Sequence, residues 1–207
     1  MNPKPPLLVL ATGNPNKVVE LRHLLQDVFI SPVTATDLGL ALPAEEPYAT
    51  FRENAAHKAL SVARQTDLLV LGEDSGLEVD ALDGRPGVHS KRYSGPQGDA
   101  RANNDKLLDD LRNVPWPQRK ARFRCVLALA SADKVLFTAT GECAGIIANE
   151  SRGSGGFGYD PLFYLPERNR TMAELSANDK NRISHRSRAL VKARAFIRQY
   201  AVEAEAP

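Results

Sequence analysis

The aliphatic run Leu7–Ala11 passes through Thr12 and Gly13 straight into Asn14-Pro15, and this junction constrains the fold more than any other feature of the chain. Asn14 is a good helix N-cap, and Pro15 suits the first helical position, where its missing N–H has no intrahelical partner to lose. The sequence therefore predicts a buried strand over Leu7–Thr12 that feeds a helix from Pro15 to about Phe29, with Val18, Leu21, Leu25 and Val28 on one face. A helix tied this closely to a strand must pack its apolar stripe on the sheet that the strand belongs to.

Thr50 and Glu53 form a T-x-x-E capping box that opens a second helix through Gln65. Ala55, Ala59, Val62 and Ala63 are available there for packing, and Asn54 and Lys58 share another face. Leu68–Leu71 and Leu77–Leu82 are strand-like and flank Gly72–Gly76, with a turn signal at Asp83-Gly84. A third helix is expected over Ala100–Asn113, stopped by Pro115-Trp116-Pro117. Arg122–Ala130 and Lys134–Ala148 read as an antiparallel hairpin turning at Ala132-Asp133. Thr171 and Glu174 make a second capping box at a short helical piece, and a last helix is expected from Ser184 to Tyr200, with Ala189, Leu190, Ala193, Phe196, Ile197 and Tyr200 at helical spacing. Strands and helices interleave without strict alternation, so the class is α/β (mixed α+β) with a mixed sheet.

A chain of 207 residues is the size of one domain, or of one domain with two lobes. With 43% hydrophobic and 25% charged residues it is neither disordered, collagen-like nor a coiled coil. Its 27 basic and 25 acidic residues leave a formal charge of +2, which gives no electrostatic reason to expect a nucleic acid or a membrane surface as partner. No apolar run approaches the roughly 20 residues of a bilayer helix. The short apolar stretch after Lys4 is cut at Gly13-Asn14-Pro15, short of the about 7 to 15 residues of a signal core, so the N-terminus is expected to be that of a mature protein. Cys125 and Cys143 lie in apolar strands without metal or redox spacing, as expected of buried thiols in a reducing cytoplasm.

Gly153–Gly158 matches G-x-G-x-x-G, but Tyr159-Asp160-Pro161 and Pro166 forbid the helix that a dinucleotide site needs. A better phosphate candidate is Thr12-Gly13-Asn14-Pro15-Asn16-Lys17, where a helix start offers its backbone N–H groups and positive end and Lys17 adds a full charge; a plain capped turn would use the same residues. Gly72-Glu73-Asp74-Ser75-Gly76 sets two carboxylates and a hydroxyl between glycines. With the Glu45-Glu46 pair these suffice for magnesium, which prefers one or two carboxylates, water and substrate phosphate to a full protein cage, although an ordinary acidic turn looks the same. Ser75 is not in a G-x-S-x-G setting, and His23, His57, His89 and His185 lack zinc spacing. The basic strip Arg182, Arg186, Arg188, Lys192, Arg194 and Arg198 reads as a solvated helix face, Arg186 excepted.

Five blocks in order resemble the inosine/xanthosine triphosphate pyrophosphatase family: LATGNPNK at Leu10–Lys17, TFRENAAHKA at Thr50–Ala59, EDSGLEVDALDGRPGVHSKRYSG at Glu73–Gly95, GGFGYDP at Gly155–Pro161 and ISHRSRAL at Ile183–Leu190. The resemblance implies an elongated mixed β-sheet with flanking helices and two lobes around a nucleotide-binding cleft, with residues 1–207 as a single pyrophosphatase domain. It implies Mg²⁺-dependent hydrolysis of deaminated purine nucleoside triphosphates (ITP, dITP, XTP) to the monophosphate and pyrophosphate, which keeps them out of DNA and RNA. A cytoplasmic homodimer is implied, with a purine nucleotide as substrate and neither nucleic acid nor membrane as partner.

By the same resemblance, Thr12, Gly13, Asn14, Pro15, Asn16 and Lys17 line the triphosphate and Lys58 reaches the phosphates. Asp74 takes the place of the essential carboxylate, as proton acceptor and metal ligand, with Glu45 as a second metal contact and Ser75 binding substrate. Phe157, Gly158, Tyr159 and Asp160 hold the base, Phe157 and Tyr159 being the stacking candidates. Lys180, His185 and Arg186 read the 6-keto group, because donors aimed at a carbonyl oppose the amino group of adenine; guanine must be rejected at its 2-amino group. Two positions depart from the pattern: Glu73 stands where many bacterial members have a second Asp, and Ser187 replaces the glycine common after His-Arg. The alternatives are a pyrophosphatase with another base preference, such as modified pyrimidine nucleotides, and a catalytically silent nucleotide- or RNA-binding protein.

Overall fold

The computed structural model describes residues 4–96 and 98–203. The elements, in chain order, are β1 (Leu7–Ala11), α1 (Pro15–Leu25), β2 (Ser31–Thr34), α2 (Phe51–Ala63), β3 (Leu69–Val79), α3 (Ala100–Asp110), β4 (Lys120–Ser131), β5 (Lys134–Ile147), β6 (Phe163–Leu165), β7 (Arg170–Thr171), α4 (Ala177–Ile183) and α5 (His185–Glu203), with short 3₁₀ turns between them. The strands form one sheet in the order β2-β1-β3-β4-β5-β6-β7. β1 runs parallel to β2, with Leu7 opposite Ser31, and to β3, with Leu8 opposite Leu69. β6 is antiparallel to both β5 and β7. β4 and β5 are sheet neighbours joined by two residues, which makes them a hairpin, and Ala132 takes the left-handed turn conformation (φ 52°). The mixed α/β class read from the sequence is the one found.

The chain divides into two compact units. The first holds the chain up to Asp74, Cys125–Gly141 and the chain from Arg186 onward; the second holds Ser75–Arg124 and Glu142–His185. β3, β4 and β5 each give one end to each unit.

In the first unit the apolar stripe of α1 (Val18, Leu21, Leu24, Leu25) and that of α5 (Ala189, Leu190, Ala193, Ile197) share one core with Leu8, Leu10, Leu69, Leu71, Leu127 and Leu129. Each fully buried leucine there contributes about 1.5–3 kcal/mol relative to exposure. α2 covers the other side of β3, where Gly72 lets the helix backbone come close: a Cβ at Gly72 would lie 2.6 Å from the Ala59 nitrogen and nearer still to the Ala55 carbonyl oxygen. The basic strip on α5 is largely spent within this unit, since Arg194 and Arg198 pair with Asp27 and Lys192 donates to the Thr140 carbonyl.

The second unit has its own core of Leu77, Val79, Leu107, Leu111, Phe123, Cys143, Ile147, Leu162 and Phe163, among others. Arg119, buried just before β4, donates to the carbonyl of Leu111, the C-cap of α3, and to that of Val114 in the turn beyond it, so an acceptor that the helix end leaves open is satisfied.

Four local expectations are corrected. Gly72–Gly76 is not a break between two strands, because β3 runs unbroken through it; its glycine serves close helix packing rather than a turn. α1 stops at Leu25, and Val28 is buried from the following turn, because the chain must double back to lay Ser31 beside Leu7. α3 ends at Asp110, before the expected Asn113. The short helical piece opened by Thr171 is a 3₁₀ turn followed by a separate helix α4, which the extended Ser184 (ψ 155°) ends, so that α5 starts at His185, close to the expected start of the last helix. Thr171 and Glu174 form a full capping box, whereas at Thr50 the Oγ1 accepts from the Glu53 N–H and the hydroxyl is donated to Glu53 Oε2. Among the described residues no helix is long and apolar enough to cross a membrane.

Candidate active site

Successive side chains on a strand point to opposite faces. β3 therefore sends Gly72 and Asp74 toward α2 and sends Leu71 and Glu73 toward α1 and α5. Two adjacent carboxylates, 1% and 3% exposed, thus enter different surroundings and take different cationic partners.

On the α2 face, Lys58 Nζ lies 2.8 Å from Asp74 Oδ1 and 2.6 Å from Glu46 Oε1, and donates to the Glu73 carbonyl at 3.1 Å. Burial pushes the Asp74 carboxyl above its ordinary value of 3.8, with the Lys58 charge pulling it back. Burial also works against the Lys58 charge, but Asp74 and Glu46 outweigh it and hold the ammonium above its ordinary 10.5. Asp74 Oδ2 is buried and accepts no hydrogen bond among the described residues. A buried carboxylate oxygen in that condition is costly unless a ligand, water or ion serves it.

On the opposite face, Arg186 grips Glu73 through Nε and Nη2, and its Nη1 pairs with Glu20. Lys17 Nζ lies 3.3 Å from Glu73 Oε1. Lys17 and Glu20 are one turn apart on α1, so two cations and two anions form a compact set beside β3, with Glu73 and Arg186 buried and Lys17 and Glu20 half-buried. Both oxygens of Glu73 are therefore committed to cations.

In the strand-to-helix turn, Asn14 Oδ1 accepts the N–H groups of Asn16 and Lys17, and the Asn14 N–H is donated to Thr12 Oγ1. The turn is capped by its own asparagine, so two of the N–H groups that sequence reasoning offered to an anion are already bonded. What it presents is the positive helix end, with Gly13, Pro15 and Asn16 exposed.

Of the expected base-binding residues, Phe157, Gly158, Tyr159, Asp160, Lys180 and His185 lie in the second unit and Arg186 in the first. Lys180 Nζ is 2.5 Å from Asp160 Oδ2 and 4.6 Å from the centre of the Phe157 ring, and the Phe157 N–H is donated to that same Asp160 oxygen. His185 is buried and stacks on Phe123 with ring centres 4.9 Å apart. Phe157 is half-buried, whereas Tyr159 turns inward and donates its hydroxyl to the Ser90 carbonyl at 2.8 Å, so of the two stacking candidates Phe157 alone keeps a partly open ring. Ser75 is half-buried on β3.

The sequence profile of the Ham1 family matches residues 8–196. The chain belongs to the Ham1 family. It is 48% identical over 198 residues to the dITP/XTP pyrophosphatase of Desulforamulus reducens, which covers 96% of this chain and 98% of that one. It is 44% identical over 184 residues to the dITP/XTP pyrophosphatase of Bacillus subtilis, covering 89% and 93%. Among solved structures, a Ham1 protein from Coxiella burnetii aligns with TM-score 0.85 at 40% identity over 94% of this chain and 99% of that one. The Staphylococcus aureus Ham1 protein aligns with TM-score 0.83 at 36% identity over the same shares.

In this Ham1 chain the structure gathers Lys17, Lys58, Asp74 and Arg186 around one strand, and Phe157, Asp160 and Lys180 around another cluster. Glu45 is exposed, while its neighbour Glu46 holds the contact with Lys58. Sequence reasoning passed over Glu20 and Phe123; Glu20 was detectable as the acid one turn beyond Lys17 on the same helix face. Among the described residues no group of three or more His, Cys, Asp or Glu is placed to hold a metal by itself. A single unserved Asp74 oxygen suits an ion that takes most of its ligands from water and substrate phosphate.

Proposed function

We propose that this chain is a Ham1-family pyrophosphatase that hydrolyses dITP, ITP and XTP to the nucleoside monophosphate and pyrophosphate. The observation that carries the reading is near-full-length identity of 48% to a relative named for that reaction. The Asp74 geometry supplies a means of performing it.

Asp74 accepts a proton from an attacking water through its unserved Oδ2, while Lys58 on Oδ1 holds the carboxylate in place and favours its ionised form against burial. The water oxygen bonds to the α-phosphorus, and the bond from that phosphorus to the bridging oxygen breaks in line, releasing pyrophosphate. No covalent enzyme intermediate is required. Lys17 and Lys58 bind the triphosphate, and the Thr12–Lys17 turn, with its Gly13, Asn14, Pro15 and Asn16, lines it. We assign Mg²⁺ to Asp74 and the Glu45-Glu46 pair, with Glu45 as the second contact; when bound it neutralises charge that develops on the phosphate oxygens. Glu73 is left out of that set because Arg186 and Lys17 already occupy it.

Phe157 stacks on the purine, with Gly158, Tyr159 and Asp160 shaping the turn beneath it. Lys180 and His185 present donors to the 6-keto oxygen. The Arg186 guanidinium is engaged by two carboxylates, so its part is to brace the phosphate end. Ser75 binds substrate from β3. We take the two units as lobes of one catalytic domain that acts in the cytoplasm as a homodimer.

The test is incubation of the purified protein and Mg²⁺ with dITP, dATP, dGTP, dCTP and modified pyrimidine triphosphates, resolving products by ion exchange. Monophosphate and pyrophosphate from dITP, with little from the others, is expected. Diphosphate and orthophosphate, or no turnover, would overturn the reading.

A further inference from the structure

We propose that Asn104 is a positioning residue for the nucleobase: from α3 it holds the Gly158 turn in place and thereby sets base affinity without touching the reacting phosphates. The proposal rests on the reading that Phe157–Asp160 holds the base.

α3 carries two consecutive buried asparagines, Asn103 and Asn104, 3% and 8% exposed. Adjacent residues on a helix point about 100° apart, so they serve different partners. Asn103 accepts from the Ser94 N–H at 2.7 Å and donates to the Lys91 carbonyl at 3.0 Å, fixing the chain between those residues. Asn104 Nδ2 donates to the Gly158 carbonyl at 3.1 Å.

Gly158 sits at φ +62° with open space where a side chain would be, so backbone conformation rather than packing calls for glycine there. A turn of that kind keeps its shape through the bonds its peptide groups make. One residue on, the Tyr159 hydroxyl reaches the Ser90 carbonyl, and Ser90 Oγ accepts the Leu77 N–H of β3 at 2.8 Å. The stretch Ser90–Ser94, part of the longest of the five sequence blocks, thus acquires a role: with α3 it fixes the turn between Phe157 and Tyr159 from behind.

Asn104 Oδ1 is buried and has no hydrogen-bond partner among the described residues. An asparagine kept only for packing would carry an unserved acceptor into the interior to no benefit, whereas leucine fills similar space without it. Replacing Asn104 by leucine removes the bond to Gly158 and the unserved acceptor together, so global stability changes little while the turn loses its donor. A role in positioning and a role in general stability are separable on that ground.

The experiment measures steady-state kinetics of Asn104→Leu, Asn104→Asp and Phe157→Ala with dITP, inhibition by inorganic tripolyphosphate, and Tm. Tripolyphosphate carries the phosphates but no base. For Asn104→Leu, KM for dITP is expected to rise about tenfold with kcat held within about twofold, and with tripolyphosphate inhibition and Tm unchanged. Asn104→Asp keeps the volume and sets an acceptor against the Gly158 carbonyl; it is expected to give the same split and serves if the leucine variant does not fold. A wild-type KM in the Asn104 variants, or an equal loss of tripolyphosphate inhibition, overturns the proposal. Phe157→Ala separates the two claims: if it leaves KM unchanged the base-site reading itself fails, and if it raises KM while the Asn104 variants do not, only the positioning role fails.

Discussion

The Arg186 guanidinium binds the Glu73 carboxylate through two parallel hydrogen bonds, Nε to Oε2 at 2.8 Å and Nη2 to Oε1 at 2.7 Å. This is the fork-to-fork geometry in which arginine holds a carboxylate most firmly, and each residue is 1% exposed. The same Glu73 oxygen that meets Nη2 also meets Lys17, so the position of Lys17, proposed above to bind phosphate, is tied to a residue 169 places further along the chain (186 − 17). In the proposed mechanism Arg186 therefore acts on the phosphate end through Glu73.

Removing one partner of such a pair strands the other in the interior, which costs about 3–5 kcal/mol. Arg186→Met is therefore expected to lose stability of that order in urea denaturation and to lower Tm by roughly 6–20 °C for a chain of this size. A loss under about 1 kcal/mol would show that the pair is a surface-like contact.

Asp74 carries the chemistry in the proposed mechanism, and its isosteric amide cannot accept a proton from water. Asp74→Asn is expected to lower kcat for dITP by a factor on the order of 10²–10⁴, measured as pyrophosphate release, with a near-wild-type circular dichroism spectrum. Near-normal turnover in this variant would end the case for Asp74 as the base.

Much of this site was legible in the sequence because local signals coincide with it: the Asn14-Pro15 helix start, the T-x-x-E box that sets the register of Lys58, and the Glu73-Asp74 dipeptide. Side-chain pairing was not legible. Glu73 and Asp74 look alike as neighbours, and only the pleat of an unbroken β3 sends one to Lys58 and the other to Arg186. Gly72 and Gly76 suggested a turn because glycine signals turns and close backbone approach alike, and the sequence does not record that α2 lies on Gly72. Tyr159 looked like a stacking ring beside Phe157 until its hydroxyl was found on the Ser90 carbonyl, a contact across 69 residues of chain.

Lys58 offers a test by pH. Burial holds the Asp74 carboxyl above 3.8, and the Lys58 ammonium is the largest influence that opposes this. Lys58→Met removes the opposition, so the Asp74 value rises further and the acid limb of the kcat/KM profile moves to higher pH. The stability effect has a definite sign. A carboxyl raised in the folded state contributes stability that is whole below its unfolded value of 3.8 and is lost as pH rises through the folded value. Lys58→Met is therefore expected to lose more stability at neutral pH than in acid, and an acid limb left in place would show that Lys58 does not govern Asp74.

Gly72 connects the fold to the site, because the close approach it permits brings Lys58 on α2 within reach of Asp74 two residues further along β3. A methyl group at this position would meet helix backbone, 2.6 Å from the Ala59 nitrogen, and backbone atoms cannot step aside as a flexible side chain would. Gly72→Ala must push α2 off the strand, at a cost of about 1–3 kcal/mol or more from overpacking. The displacement also lengthens the Lys58–Asp74 contact, so both Tm and kcat are expected to fall together. Gly84→Ala is the matched control: Gly84 has open space at its Cβ position and a φ of +82°, so alanine there strains the backbone without pressing on a helix, and kcat is expected to stay at the wild-type level. Equal losses of kcat in the two variants would break the proposed link between helix packing and the reactivity of Asp74.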